Sequence, residues 1–208
     1  MKKIAFIITT ALAAFGMSAV PALANSQPNG AVSVQLGSND INGARVSQLG
    51  VSSQVMFGDG YLGTASVAVG NNHGDNARSI AVSVGRVYSL SQDLAIAPTV
   101  ELGYDKAGSY GSAASPLGVY SAKHLAVGVD AIDRLGDGFS VNGGVRVGRS
   151  FGSPSGYDSG TYAGADIGVA YHVGAGQVGI SYGFKSMPLV ASSNLNERGI
   201  NVGYTAYF

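Results

Sequence analysis

The sequence predicts an all-β chain: a transmembrane antiparallel up-and-down β-barrel of about ten strands. Three observations predict it. Segments alternate strictly, as in 177–185, where Val178, Ile180, Tyr182 and Phe184 interleave with Gly179, Ser181, Gly183 and Lys185. A strand sends successive side chains to opposite faces, so this pattern gives one apolar face and one small or polar face. The composition is 46% hydrophobic and 12% charged, with 32 glycines, whereas a soluble domain carries about 25% charged residues. Finally, short and longer connections alternate along the chain, as they do in barrels with short turns at one rim and loops at the other.

The first 24 residues stand apart. Lys2 and Lys3 precede an apolar stretch from Ile4 to about Val20, followed by Pro21 and Ala22-Leu23-Ala24. A positive start, an apolar middle and a small-x-small exit read as a secretory signal peptide cut after Ala24, leaving 25–208 as one barrel domain. A membrane anchor is the other reading, but the stretch is short for one. Beyond Ala24 no apolar run approaches the roughly 20 residues of a spanning helix.

Strands are expected near 31–37, 44–57, 61–70, 78–90, 94–105, 120–134, 139–151, 161–173, 177–186 and 197–208. Segment 44–57 alternates least clearly, because Ser47, Ser52 and Ser53 blur its faces, so eight strands with an irregular first pair is the alternative. Tight turns are read at Gly58-Asp59-Gly60, Ser91-Gln92-Asp93, Gly136-Asp137-Gly138 and Gly174-Ala175-Gly176, where Gly and Asp supply the backbone freedom hairpins need. Longer polar stretches separate them at Ser38–Gly43, Asn71–Asn76, Lys106–Gly118, Gly152–Gly160 and Met187–Asn196. An even strand count puts both termini and all short turns at one rim.

The outward face should carry Phe139, Val141, Val145 and Val147, the set Leu94 to Tyr104, and Ile180 with its partners. Aromatics fall into two belts, as amphipathic rings do at membrane interfaces. Phe57, Tyr61, Tyr88, Phe139, Tyr171, Tyr207 and Phe208 stand near the short turns or the chain end. Tyr104, Tyr120, Phe151, Tyr162 and Phe184 stand near the longer stretches. Arg86 shares the face of Val82 and Val84, which requires either snorkelling to the interface or a bulge.

Glu101, Asp130, Arg146, Asp166 and Lys185 take inward positions on successive strands. Unpaired charges in a narrow bore are costly, so they should form a lumen charge network. Arg146 is expected to bridge Asp130 and Asp166, with Lys185 on Asp166. Filling and stiffening the bore is the structural reading of this set; a charge-lined pore is the functional one. His124 and His172 also fall on the inward parity. His73 and Asp75 form a small polar cluster that a loop enzyme would need for catalysis, but one His without other ligands in spacing is a weak signal.

No catalytic or phosphate-binding motif appears, no cofactor or metal is expected, and the chain reads as non-enzymatic. Zero Cys excludes disulfides and thiol chemistry. Loss of Lys2 and Lys3 would turn the balance of +0 slightly negative, which gives a nucleic-acid partner no electrostatic support.

The alternating stretch Ile200, Val202, Tyr204, Ala206, Phe208 resembles the C-terminal sorting signal of Gram-negative outer-membrane β-barrels, with Tyr204 and Phe208 as its carriers. With Ala22-Leu23-Ala24 and the alternating strands, the chain resembles the broad class of OmpA-type, OmpX-type and opacity-type barrels. Gly179–Phe184 and Val202-Gly203-Tyr204 are similar to YfaZ-type barrels. The resemblance implies export to the outer membrane and contact with the barrel-assembly machinery through the last strand. It also implies a monomer among outer-membrane lipid and lipopolysaccharide. The expected role is envelope integrity or surface contact through loops, with a narrow passive channel and an outer-membrane enzyme as alternatives.

Overall fold

The computed structural model describes residues 30–72, 75–107, 120–153, 158–189 and 194–208. The signal segment 1–24, His73 and most of the stretch Lys106–Gly118 lie outside them. Eleven strands form among the described residues: β1 Gly30–Ile41, β2 Ala44–Phe57, β3 Tyr61–Asn72, β4 Asp75–Arg86, β5 Tyr88–Ser89, β6 Leu94–Ala107, β7 Tyr120–Gly136, β8 Phe139–Ser153, β9 Ser159–Val173, β10 Gly176–Pro188 and β11 Asn194–Tyr207. Neighbours in the chain are neighbours in the sheet, β1 pairs with β11, and β4 with β6. Short β5 continues β4 past Val87 and pairs with the same strand, β6. The eleven segments therefore make ten staves of one closed antiparallel barrel. Segment 44–57 is a regular stave, and the eight-strand alternative falls away.

The ladder closes at its seam. Gly30 and Phe208 exchange both backbone hydrogen bonds at 3.0 Å. Closure leaves no strand edge with unpaired N–H and C=O groups, the condition for a sheet to sit in hydrocarbon.

Ends of the stretches expected as loops are strand instead. Ser38–Ile41 belongs to β1, and the connection is only Asn42-Gly43, with φ of 48° and 91°. Positive φ at both central residues is the type I′ geometry that Asn-Gly favours and that matches strand twist. Asn71 and Asn76 pair across β3 and β4, as do Asn72 and Asp75. At Asn42-Gly43 the rim opposite the short turns is therefore closed by a tight hairpin.

Side chains sort inside out. Leu36, Val82, Leu102, Val127, Val145, Ile167 and Ile180 are exposed on the outer wall. Ser33, Asn39, Gln48, Asp105, Asp130, Lys185 and Asn201 are buried within. The two aromatic groups are largely outward, but two tyrosines depart from the expected belts. Tyr162 is buried inside, and Tyr207 takes the inward parity of its neighbour Thr205. The side chain of Tyr120 lies outside the described residues. Arg86 keeps its outward parity and lies over the rings of Tyr61 and Tyr88, 5.4 and 5.6 Å from their centroids. This is the snorkelling outcome: the aliphatic stem runs along the wall and the guanidinium stops at the aromatic belt.

The apolar wall makes two expectations concrete. Val145, 61% exposed, replaced by Arg should cost about 2–4 kcal/mol if it sits near the bilayer midplane, read by urea unfolding in phospholipid vesicles. The protein should also need detergent to stay monodisperse; stability in plain buffer would contradict a lipid-facing wall.

Candidate functional site

The lumen concentrates the ionisable chemistry of the described residues. Period-2 geometry puts Glu101 and Asp105 on the inner face of β6, and His124 and Asp130 on that of β7. Arg146, Asp166, Lys185 and Glu197 project from β8, β9, β10 and β11. The register stacks these positions across the bore, and glycines opposite them make room. A Cβ on Gly103 would stand 2.1 Å from His124 Cε1, and one on Gly144 2.4 Å from Asp130 Oδ1. Gly103 and Gly144 are thus places where a larger residue would displace the charged side chain beside it.

Arg146 is the hub. Its Nη2 donates to Asp130 Oδ1 at 2.7 Å and its Nη1 to Asp166 Oδ1 at 3.0 Å, while its Nε lies 3.1 Å from Glu101 Oε2. Guanidinium offers five donors in a rigid fork, so one cation can face three carboxylates. Lys185 is the second hub. Its Nζ donates to Asp105 Oδ1 at 2.6 Å and lies 3.1 Å from Glu197 Oε2. The pairing of Lys185 with Asp166 that the sequence predicts is replaced by these contacts, because the register places Lys185 opposite Glu197, while Asp166 lies opposite Gly183.

His124 joins the hubs. Its Nε2 lies 3.1 Å from Glu101 Oε1 and its Nδ1 3.0 Å from Asp105 Oδ2. Only the Nε2 contact with Glu101 has hydrogen-bond geometry; Nδ1 and Asp105 Oδ2 are close without it. Tyr162 stacks on the imidazole, with ring centroids 4.1 Å apart and planes 5° off parallel. Ser79 donates to Asp105 at 2.8 Å, Asn39 to Glu197 at 3.0 Å, and Asn39 also bonds Gln48. Every stave but β3 contributes to this chain of contacts. His172, by contrast, is exposed near the short-turn rim.

Above the ionic layer, toward the rim opposite the short turns, Ile41, Val46, Met187, Leu189 and Leu195 are almost wholly buried and pack with Tyr162 and several alanines. Between this apolar cap and the ion pairs lies a cavity of about 10 Å³, bordered by Gln48, Ser79, Asp105, Lys185 and Glu197, with room for roughly one water.

Sequence reasoning placed Glu101, Asp130, Arg146, Asp166 and Lys185 inside, and the geometry brings them together. It left Asp105 and Glu197 out of the set, although both continue the inward parity, Asp105 from Glu101 and Glu197 back from Asn201. Tyr204 is outward and half-exposed on β11, and Phe208 closes the seam.

No family model matches the chain, and no curated protein matches it in sequence. Solved structures share its fold. A bacterial polysaccharide outer-membrane secretin is 11% identical with a TM-score of 0.50, covering 86% of this chain. The chain spans 65% of that protein's length. The β domain of the Bordetella autotransporter BrkA is 14% identical with a TM-score of 0.50, covering 87% of this chain and 99% of that one. The NanC porin is 11% identical at a TM-score of 0.49, covering 85% and 99% respectively. The likenesses to the secretin and the autotransporter β domain concern the fold, a closed antiparallel barrel.

Arg146→Ala should destabilise the barrel by about 3–5 kcal/mol, because it leaves buried carboxylates without their cation. Urea unfolding in detergent micelles measures this. In the Gly103→Val variant the new side chain should displace His124, seen as a chemical-shift change at its imidazole with the barrel still formed.

Proposed function

We propose that the chain is an integral outer-membrane β-barrel that acts as a closed, non-enzymatic element of the envelope, making its contacts through its outer wall and loops. One observation carries this reading: Arg146, bound to three carboxylates inside the bore, lies beneath an apolar cap. Solutes would have to break ion pairs that no bulk water replaces, and then cross a dry plug. A bore of about ten strands is narrow enough for side chains to fill. The apolar wall and aromatic belts suit a bilayer, and the fold likeness to outer-membrane barrels supports that membrane in particular. Export by the N-terminal signal and assembly through β11, with Tyr204 and Phe208 as recognition residues, belong to the same proposal, as does a monomeric state.

The barrel should give no ohmic steps in planar bilayers. Discrete, reproducible steps from the unmodified protein, altered by substitution of Arg146, would replace this reading with that of a narrow passive channel.

A further inference from the structure

The outer wall is electrically lopsided. Around the rim opposite the short turns, Arg45, Arg78, Lys106, Lys123, Arg149 and Arg198 all point outward and are exposed. At the short-turn rim the exposed charges include Asp59, Asp93 and Asp137 in the turns and, among the described residues, the single cation Arg86 on the wall. The six cations divide further by register. Arg45 and Arg198 lie on either side of Asp40, which pairs with both, so a carboxylate stands between them. The other four occupy the adjacent staves β4, β6, β7 and β8. Arg78 sits directly opposite Lys106. Lys123 sits between Tyr104 and Phe151, and Arg149 opposite Leu125. Ser121 faces Lys106 from β7. None of these outward neighbours is acidic, and the segment 108–119 that joins β6 to β7 contains no charged residue.

Like charges directly opposite on a sheet repel, which costs stability unless an anion is shared between them. The patch also shares its wall with aromatics. Tyr104, Lys123 and Phe151 lie in one row, and Arg149 stands 5.8 Å from the Phe151 ring. Aromatic rings settle at the level of lipid headgroups, and long cationic stems snorkel to the same depth. A concentrated, unneutralised cationic stripe at headgroup depth fits phosphate held in the membrane plane. The outer rim of such a barrel faces the outer leaflet, whose phosphorylated lipid is the lipid A of lipopolysaccharide.

We propose that Arg78, Lys106, Lys123 and Arg149 form a docking surface for the phosphates of outer-leaflet lipopolysaccharide. The proposal rests on the outer-membrane reading above and names a partner and a face of the barrel for it. The four residues bridge two phosphates across β4 to β8, while Arg45 and Arg198, with the carboxylate of Asp40 in register between them, contribute little.

The test uses the full mature chain folded in zwitterionic micelles and titrated calorimetrically with lipid A carrying both phosphates, or with the same lipid dephosphorylated. The phosphorylated form should bind at least about tenfold more tightly. That preference should vanish in the variant R78Q/K106Q/K123Q/R149Q and persist in R45Q/R198Q. Equal affinity for the two lipid forms in the unmodified protein would overturn the proposal, and this arm needs no variant to fold. A phosphate preference that survives in the folded quadruple variant would overturn the assigned face. Inorganic phosphate competing at equal concentration would overturn the lipid as ligand. Failure of the membrane reading looks different: no barrel forms in micelles at all, whereas failure of this inference leaves a folded barrel that ignores phosphate.

Discussion

Backbone hydrogen bonding without a free edge is the constraint on which this structure depends. In hydrocarbon each unpaired N–H or C=O costs several kcal/mol, so the sheet must return to its own beginning. The pairing of β1 with β11, and of β4 with β6, does this. The remaining features follow from closure. Ten staves fix a narrow bore, small enough for side chains to fill. Alternation then assigns half of each strand to that bore. Polar and charged side chains that land there must satisfy one another, and Arg146 and Lys185 each gather several carboxylates for this reason.

The outer wall answers to a different solvent by the same alternation. Its middle is Val, Leu and Ile, and its margins are aromatic, with cations standing among the rings. Arg86 shows how little tolerance there is: one guanidinium on the apolar parity is held by two tyrosine rings. At the far rim the same strategy is repeated with several cations side by side. The wall therefore records the depth of the membrane residue by residue.

Much of this was legible from sequence. The alternation in 139–147 and 177–185 assigned faces that the structure repeats, and the glycine-rich turns marked the short rim. What was misread lay at strand ends, for one physical reason. Near a rim, polar residues such as Asn39, Asn71 and Asn76 sit in regular strand but resemble loop by composition, since the wall there no longer faces hydrocarbon. Asp105 and Glu197 are a different case: they fall inside the expected strands 94–105 and 197–208 with inward parity, but at terminal positions, where sequence does not show that a side chain reaches across the bore. Tyr162 misled differently: a tyrosine suits an interface belt or a buried stack equally well, and glycines on either side of it leave its face unmarked. The pairing of Lys185 depends on contacts across the bore, which alternation along single strands cannot supply.

The ion pair between Asp105 and Lys185 joins β6 to β10, staves separated by three others on one side of the ring. Such a link acts as a strut across the diameter rather than a stitch between neighbours. A hooped wall held only by its ladder can flatten into an ellipse under lateral pressure from the surrounding lipid. One braced through its middle resists that deformation, so the cross-section of this barrel should breathe less than its strand number alone suggests.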